Sequence, residues 1–241
     1  MLPLRASESA MVDLAPVNTE LAGLDAQERI AWALNNLPGS AVLSSSFGAQ
    51  AAVMLHMATR LAPDLPVVFI DTGYHFAETY RFVDQLSERL RLNLKVYRAA
   101  SSPAWQEARH GRRWEQGLAG IEAYNRENKI EPMQRALSEL GAQLWLAGLR
   151  RSQADSREQI QYLENRDNRM KLHPIADWTD RDVYRYLSRH RLPYHPLWHK
   201  GYISIGDWHT TRSVHEVSEL SQTRFFGLKR ECGLHESSTS C

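Results

Sequence analysis

Apolar residues recur at helical spacing from about Thr19 to Leu37 (TELAGLDAQERIAWALNNL), and Pro38-Gly39 ends the run, which predicts one helix there. AVLSSSFG (Ala41 to Gly48) is instead a short continuous apolar run that breaks into small polar residues, the pattern of a buried strand entering a loop. AQAAVMLHMATRLA returns to helical spacing. The alternation then repeats: VVFIDTG (Val67 to Gly73) reads as a second strand, with a helix from roughly Phe76 to Leu90. LNLKVYRA reads as a third strand, QLWLAGLR (Gln143 to Arg150) as a fourth and MKLHPI as a fifth. DWTDRDVYRYLSRH predicts a helix capped by Thr179 or Asp177. Strands alternating with helices predict an α/β fold: a parallel sheet of about five or more strands with helices on both faces. Residues 1–18 read as a weakly ordered N-terminal segment, 19–200 as the α/β domain, and 201–241 as a C-terminal segment with a flexible tail.

Composition narrows the class. With 241 residues, 43% hydrophobic and 24% charged, the chain can bury one sizeable core. A net charge of +1 gives no global attraction to nucleic acid or to a membrane surface, so any basic site must be local. No apolar run is long enough for a signal peptide or membrane helix, and two cysteines near one end make no disulfide framework. A cytoplasmic protein is expected.

In such a sheet ligands sit beyond the C-terminal ends of the strands. The first of these loops offers Ser44, Ser45, Ser46, Phe47, Gly48 and Gln50: hydroxyls, a glycine that permits close approach, and then a helix start suited to an anion. It lacks the Gly-Lys-Ser ending of a Walker A loop. Asp71, Thr72 and Gly73 stand at the matching place after the second strand, where Asp71 can accept from a ribose or adenine donor or cap the next helix. The fourth strand runs into GLRRSQADSR, which puts Arg150, Arg151 and Arg157 in one loop. Together the loops describe a site for a nucleotide-like, strongly anionic ligand.

The C-terminal third carries the reactive groups. GYISIGDWHTTRS offers Thr210, Thr211 and Arg212, and QTRFFGLKRECGLH offers Arg224, Lys229, Arg230, Cys232 and His235. A thiol among Lys229, Arg230 and His235 has a stabilised thiolate and reads as a nucleophile. Cys232 and His235 make a single Cys-x-x-His couple, short of the two compact couples of a structural zinc framework, so no metal is expected. Cys241 reads as a plain terminal residue.

SSSFGAQAAVMLH, DTGYHFAETYRF, NKIEPMQRAL, GLRRSQADSR, GYISIGDWHTTR and KRECGLH, in this order, resemble the thioredoxin-dependent phosphoadenylylsulfate (PAPS) reductases of bacterial sulfate assimilation, over about Ala22 to His235. The resemblance implies an adenine nucleotide alpha hydrolase-like fold with a mobile C-terminal segment. It also implies no tightly bound cofactor, reduced thioredoxin or glutaredoxin as cosubstrate, and a homodimer. It places Lys129, Arg224 and His235 near the reacting sulfate and makes Cys232 the nucleophile that forms an S-sulfocysteine. The sister adenylylsulfate (APS) reductases hold an iron–sulfur cluster on two cysteine pairs. Those positions fall here at Tyr124, Asn125, Asp207 and Thr210, none of them cysteine, which points to PAPS as substrate. A cluster-free APS reductase is the enzyme alternative, and a redox-sensitive nucleotide-binding module the non-catalytic one.

Overall fold

The computed structural model describes residues 13–229 and 233. Arg230, Cys232, His235 and Cys241 lie outside the described residues. The expected first helix is two, α1 (Ala15–Ala22) and α2 (Ala26–Asn36). Asp25 makes the break: its carboxylate accepts the backbone N–H of Gln27 and of Glu28 at 2.8 Å, while Glu28 Oε2 accepts the Asp25 N–H at 2.7 Å. This reciprocal cap starts a new helix where helical periodicity alone would run on. Buried Arg29 then ties both helices to the far side of the domain. It donates to the Leu21 and Pro174 carbonyls at 2.8 Å and makes a two-pronged pair with Asp177. Asp177 is therefore an ion-pair partner, and Thr179 caps α8 (Asp180–Arg189).

Six strands form one sheet: β1 (Ser40–Ser44), β2 (Pro66–Ile70), β3 (Asn93–Tyr97), β4 (Ala142–Ala147), β5 (Leu163–Arg166) and β6 (Arg169–Leu172), in the order β3-β2-β1-β4-β6-β5. All neighbours run parallel except β5 and β6. That hairpin turns through Asp167 and Asn168, both at positive φ (51° and 60°), the backbone of a tight two-residue turn. Its first strand, LENR, is an addition to the five expected.

Side chains alternate between two apolar layers, as a pleated sheet requires. Leu43, Val67, Leu144 and Leu146 face α2, α3 (Ala52–Leu61), α4 (Ala77–Leu90) and α8, whereas Val42, Val68 and Trp145 face α7 (Glu131–Glu139). Helices thus cover both faces. Between β3 and α7 the chain forms α5 (Pro103–His110), α6 (Gly117–Asn125) and one π-helical turn, Arg126–Ile130. Pro132 accounts for that turn: it donates no N–H and crowds the carbonyl four residues back, and the wider winding relieves both.

The topology locates the site. From β1 the chain builds outward through β2 and β3, then returns to place β4 on the other side of β1. The order reverses between β1 and β4, so the loops leaving their C-terminal ends diverge and leave a crevice. After α8 the chain crosses this end of the sheet in short turns, held by backbone bonds from Trp208 N to Tyr74 O (2.9 Å) and from Arg212 N to Thr223 O (3.0 Å).

Candidate active site

The crevice is a cavity of about 280 Å³. Of the serine-rich loop, Ser44, Ser45, Ser46, Gly48 and Gln50 line it. Ser44 is held by the Trp145 indole N–H at 2.7 Å, and Ser45 Oγ accepts the Phe47 N–H at 3.1 Å. Phe47 itself departs from the expected set. At φ 48° its ring turns into the core, fully buried and edge-on to Phe69 at 5.3 Å, where it anchors the loop from below.

After β2 only Thr72 of the expected trio reaches the cavity. The Asp71 carboxylate points elsewhere, accepting from Tyr80 Oη at 2.6 Å, Arg98 Nε at 2.7 Å and Gly73 N at 2.9 Å. Burial works to raise its pKa, and those donors together hold it below the ordinary carboxylate range. It caps no helix either, since Phe76 occupies the start of α4 with no side-chain cap. Gly73 serves the turn: φ is 76°, and a β-carbon there would stand 2.6 Å from Pro103 Cγ.

The arginine loop divides. Arg150 and Arg157 line the cavity. Arg150 is buried, donating to Gln50 Oε1 at 2.6 Å and to Asp180 Oδ1 at 2.8 Å, and Arg157 donates to Gln153 Oε1 at 2.5 Å. Arg151, the next residue along an extended start, points the opposite way: it donates to the Ile160 carbonyl at 2.9 Å and lies over the Tyr162 ring. From the C-terminal segment Arg224 lines the cavity, with Nη1 3.4 Å from Ser204 Oγ. Thr210 and Thr211 are buried beneath it, and Thr211 Oγ1 accepts the Gly206 N–H at 3.3 Å. Arg212 folds back on its own segment, donating to the Thr211 carbonyl at 2.9 Å and lying over Phe226. Lys229 stands near the end of the described segment.

Lys129, on the π-helical turn, is buried at the cavity wall, and its ammonium meets Asp207 Oδ2 at 2.6 Å. The Asp207 carboxylate is wholly buried and also accepts Thr72 Oγ1–H at 2.5 Å. Burial by itself would raise its pKa. The charge on Lys129 overrides this and keeps Asp207 ionised far below the usual range. His209 stacks on Trp114 at 3.8 Å and is neutral, since burial lowers its pKa to about 4. Asp207 is a cavity residue outside the expected set: the sequence marked it only as the place of an absent cluster cysteine, in the GYISIGDWHTTR motif that supplied three candidates.

Lys129, Arg150, Arg157 and Arg224 therefore converge on one cavity, against Asp207 as the single lining carboxylate among the described residues. The lining also carries apolar side chains, among them Met54, Leu149, Ile175 and Val183. A flat heterocycle fits the apolar side chains and a multiply charged anion the cations. Among the described residues no group of three His, Cys, Asp or Glu side chains is placed to hold a metal, and no helix is long and apolar enough to cross a membrane.

Residues 40–213 match the phosphoadenosine phosphosulfate reductase domain. The chain belongs to the phosphoadenosine phosphosulfate reductase family. It is 64% identical over 224 residues to the phosphoadenosine 5'-phosphosulfate reductase of Alkalilimnicola ehrlichii, covering 93% of this chain and 91% of that one. It is 61% identical to the enzyme of that name from Yersinia pseudotuberculosis, over 92% of this chain and 91% of the other. Among solved structures, the PAPS reductase of Candida auris in its phosphate complex superposes with a TM-score of 0.74 at 30% identity, over 86% of this chain and all of that one. The FMN adenylyltransferase of Candida glabrata (17% identical, TM-score 0.57, covering 86% of this chain and 67% of that one) shares the fold. The chain is an enzyme of the reductase family, and its fold is of the adenine nucleotide alpha hydrolase-like kind.

Proposed function

We propose that the protein reduces PAPS to sulfite and adenosine 3',5'-bisphosphate in assimilatory sulfate reduction. The observation that carries the reading is the meeting of Lys129, Arg150, Arg157 and Arg224 in one cavity at the switch point of the sheet. PAPS bears about four negative charges, given nearly two per phosphate monoester. A thiolate is repelled by such an anion unless cations surround the sulfonyl group.

In this reading the adenine lies against the apolar side chains, and the phosphosulfate lies among the cations. Cys232 is the nucleophile. Its thiolate attacks the sulfonyl sulfur, the S–O bond to the phosphate breaks, and the nucleotide leaves with the electron pair, giving S-sulfocysteine. A thiolate of reduced thioredoxin, or of glutaredoxin, then attacks Cys232 Sγ. Sulfite departs with the S–S electron pair, and the second thiol of the donor closes its disulfide and returns Cys232 as thiolate. Lys129 and Arg224 stabilise charge around the transferred group, with His235, Lys229 and Arg230 carried on the same segment as the nucleophile. The protein works in the cytoplasm as a homodimer.

Sulfite release with reduced thioredoxin, measured on PAPS and APS at equal concentration, tests this. A strong preference for PAPS is expected; equal or better turnover of APS overturns the substrate assignment.

A further inference from the structure

We propose that Asp207 is a positioning residue for sulfonyl transfer: its carboxylate holds the Lys129 ammonium at the cavity wall and, by offsetting its charge, limits how tightly the substrate anion is bound. The proposal rests on the reductase reading above.

A lysine ends in a point charge on four rotatable carbons, so it marks a fixed place only where something holds it. Here the holder is itself held. Asp207 is wholly enclosed, takes the Thr72 hydroxyl at 2.5 Å and the Lys129 ammonium at 2.6 Å, and stands 3.9 Å from His75 Nδ1. Its backbone is fixed too, since residues 75 and 207 form an antiparallel bridge and Trp208 N donates to the Tyr74 carbonyl at 2.9 Å. The ammonium in turn sits 5.4 Å from the centres of the Tyr124 and Phe225 rings, a socket that leaves its charge facing the cavity and Asp207.

Two consequences pull in opposite directions. A tethered ammonium keeps one geometry and favours the step in which charge moves through the sulfonyl group. A neutralised ammonium attracts the incoming anion less than a free one would. Replacing Asp207 by Asn keeps the shape and removes the charge. It therefore slows transfer while tightening binding, a split that mere loss of structure does not give, because a damaged site binds more weakly as well.

The experiment compares Asp207→Asn, Lys129→Gln and the double variant. The kcat and KM are read from sulfite release. In a non-reacting Cys232→Ser background, the Kd for PAPS is read against the Kd for adenosine 3',5'-bisphosphate, which lacks the sulfo group. We expect Asp207→Asn to lower kcat by about tenfold, tighten PAPS about threefold and move the bisphosphate by less than about twofold. Adding Asp207→Asn to Lys129→Gln changes kcat no further. An unmoved ratio of the two Kd values, or kcat losses that multiply in the double variant, overturns the proposal. Should Asp207→Asn fail to fold, Thr72→Val keeps the charge and loosens the aim: kcat falls about threefold with the Kd ratio unchanged, and an undiminished kcat overturns the proposal. If the unsubstituted chain yields no sulfite, the reductase reading fails, and the Kd ratio alone decides the role of Asp207.

Discussion

The guanidinium of Arg224 packs against Gly206 so closely that a β-carbon there would stand 2.5 Å from Nη2 and 2.7 Å from Cζ. The backbone at Gly206 is not in the left-handed region, so the glycine is required by contact and not by conformation. Gly206→Ala therefore displaces Arg224 while leaving the fold intact. A fall in kcat/KM of about tenfold, with an unchanged melting temperature, is the expected result. Unaltered kinetics would show that the cavity works without Arg224 in this place.

Cys232→Ser separates chemistry from binding. The serine variant should lose sulfite production altogether while titration calorimetry finds its affinity for adenosine 3',5'-bisphosphate within about twofold of the parent, since the change swaps one sulfur for an oxygen and keeps every cation. Residual turnover would move the nucleophile elsewhere.

Phe47 joins the ligand loop to the core. Its fully buried ring removed in Phe47→Ala costs about 3–5 kcal/mol. Chemical denaturation should show that loss. Nucleotide affinity should fall with it, because Ser45 and Gly48 on either side lose their anchor.

Buried histidines make the fold sensitive to acid. Burial lowers His56, His195 and His209 to about 4. For His195 the wiring is explicit: Nδ1 accepts the Leu197 N–H at 3.1 Å, which leaves the ring proton on Nε2, 3.0 Å from Thr79 Oγ1. The unfolded groups titrate near 6.5, so unfolding takes up protons between about pH 6.5 and 4. The stability they contribute is complete above that window and is lost as the pH falls through it. Urea midpoints should decline steadily from pH 7 to 5, and His195→Gln should make the decline shallower by about one proton. A flat profile would mean that these rings are charged in the fold.

The parallel strands β1 to β4 were legible because each is a short apolar run between turn residues, and both layers of side chains follow from their alternation. β5 was not, since LENR buries only Leu163 fully and its other residues read as surface. The break before α2 carried a signal, Asp25 with Glu28 three residues on, that the apolar periodicity of the longer run concealed. For the cavity, composition and spacing named the cations but not their directions: neighbours Arg150 and Arg151 diverge, and Asp71 turns inward to Tyr80 and Arg98. Asp207 reads only as the place of an absent cluster cysteine until the fold sets it opposite Lys129.

The π-helical turn at Arg126–Ile130 is, in the end, a matter of phase. An evenly wound rod would carry one residue fewer through that turn, and each residue advances the winding by about 100°. The surplus sets the Lys129 ammonium over the ring of Tyr124, five residues back, and at the cavity wall, while Met133, Ala136 and Leu137 beyond it stay keyed to the sheet. Excising any one residue from 126–130 would force a choice between the two alignments, so the bearing of the Lys129 cation is set by counting along the chain as much as by anything it touches.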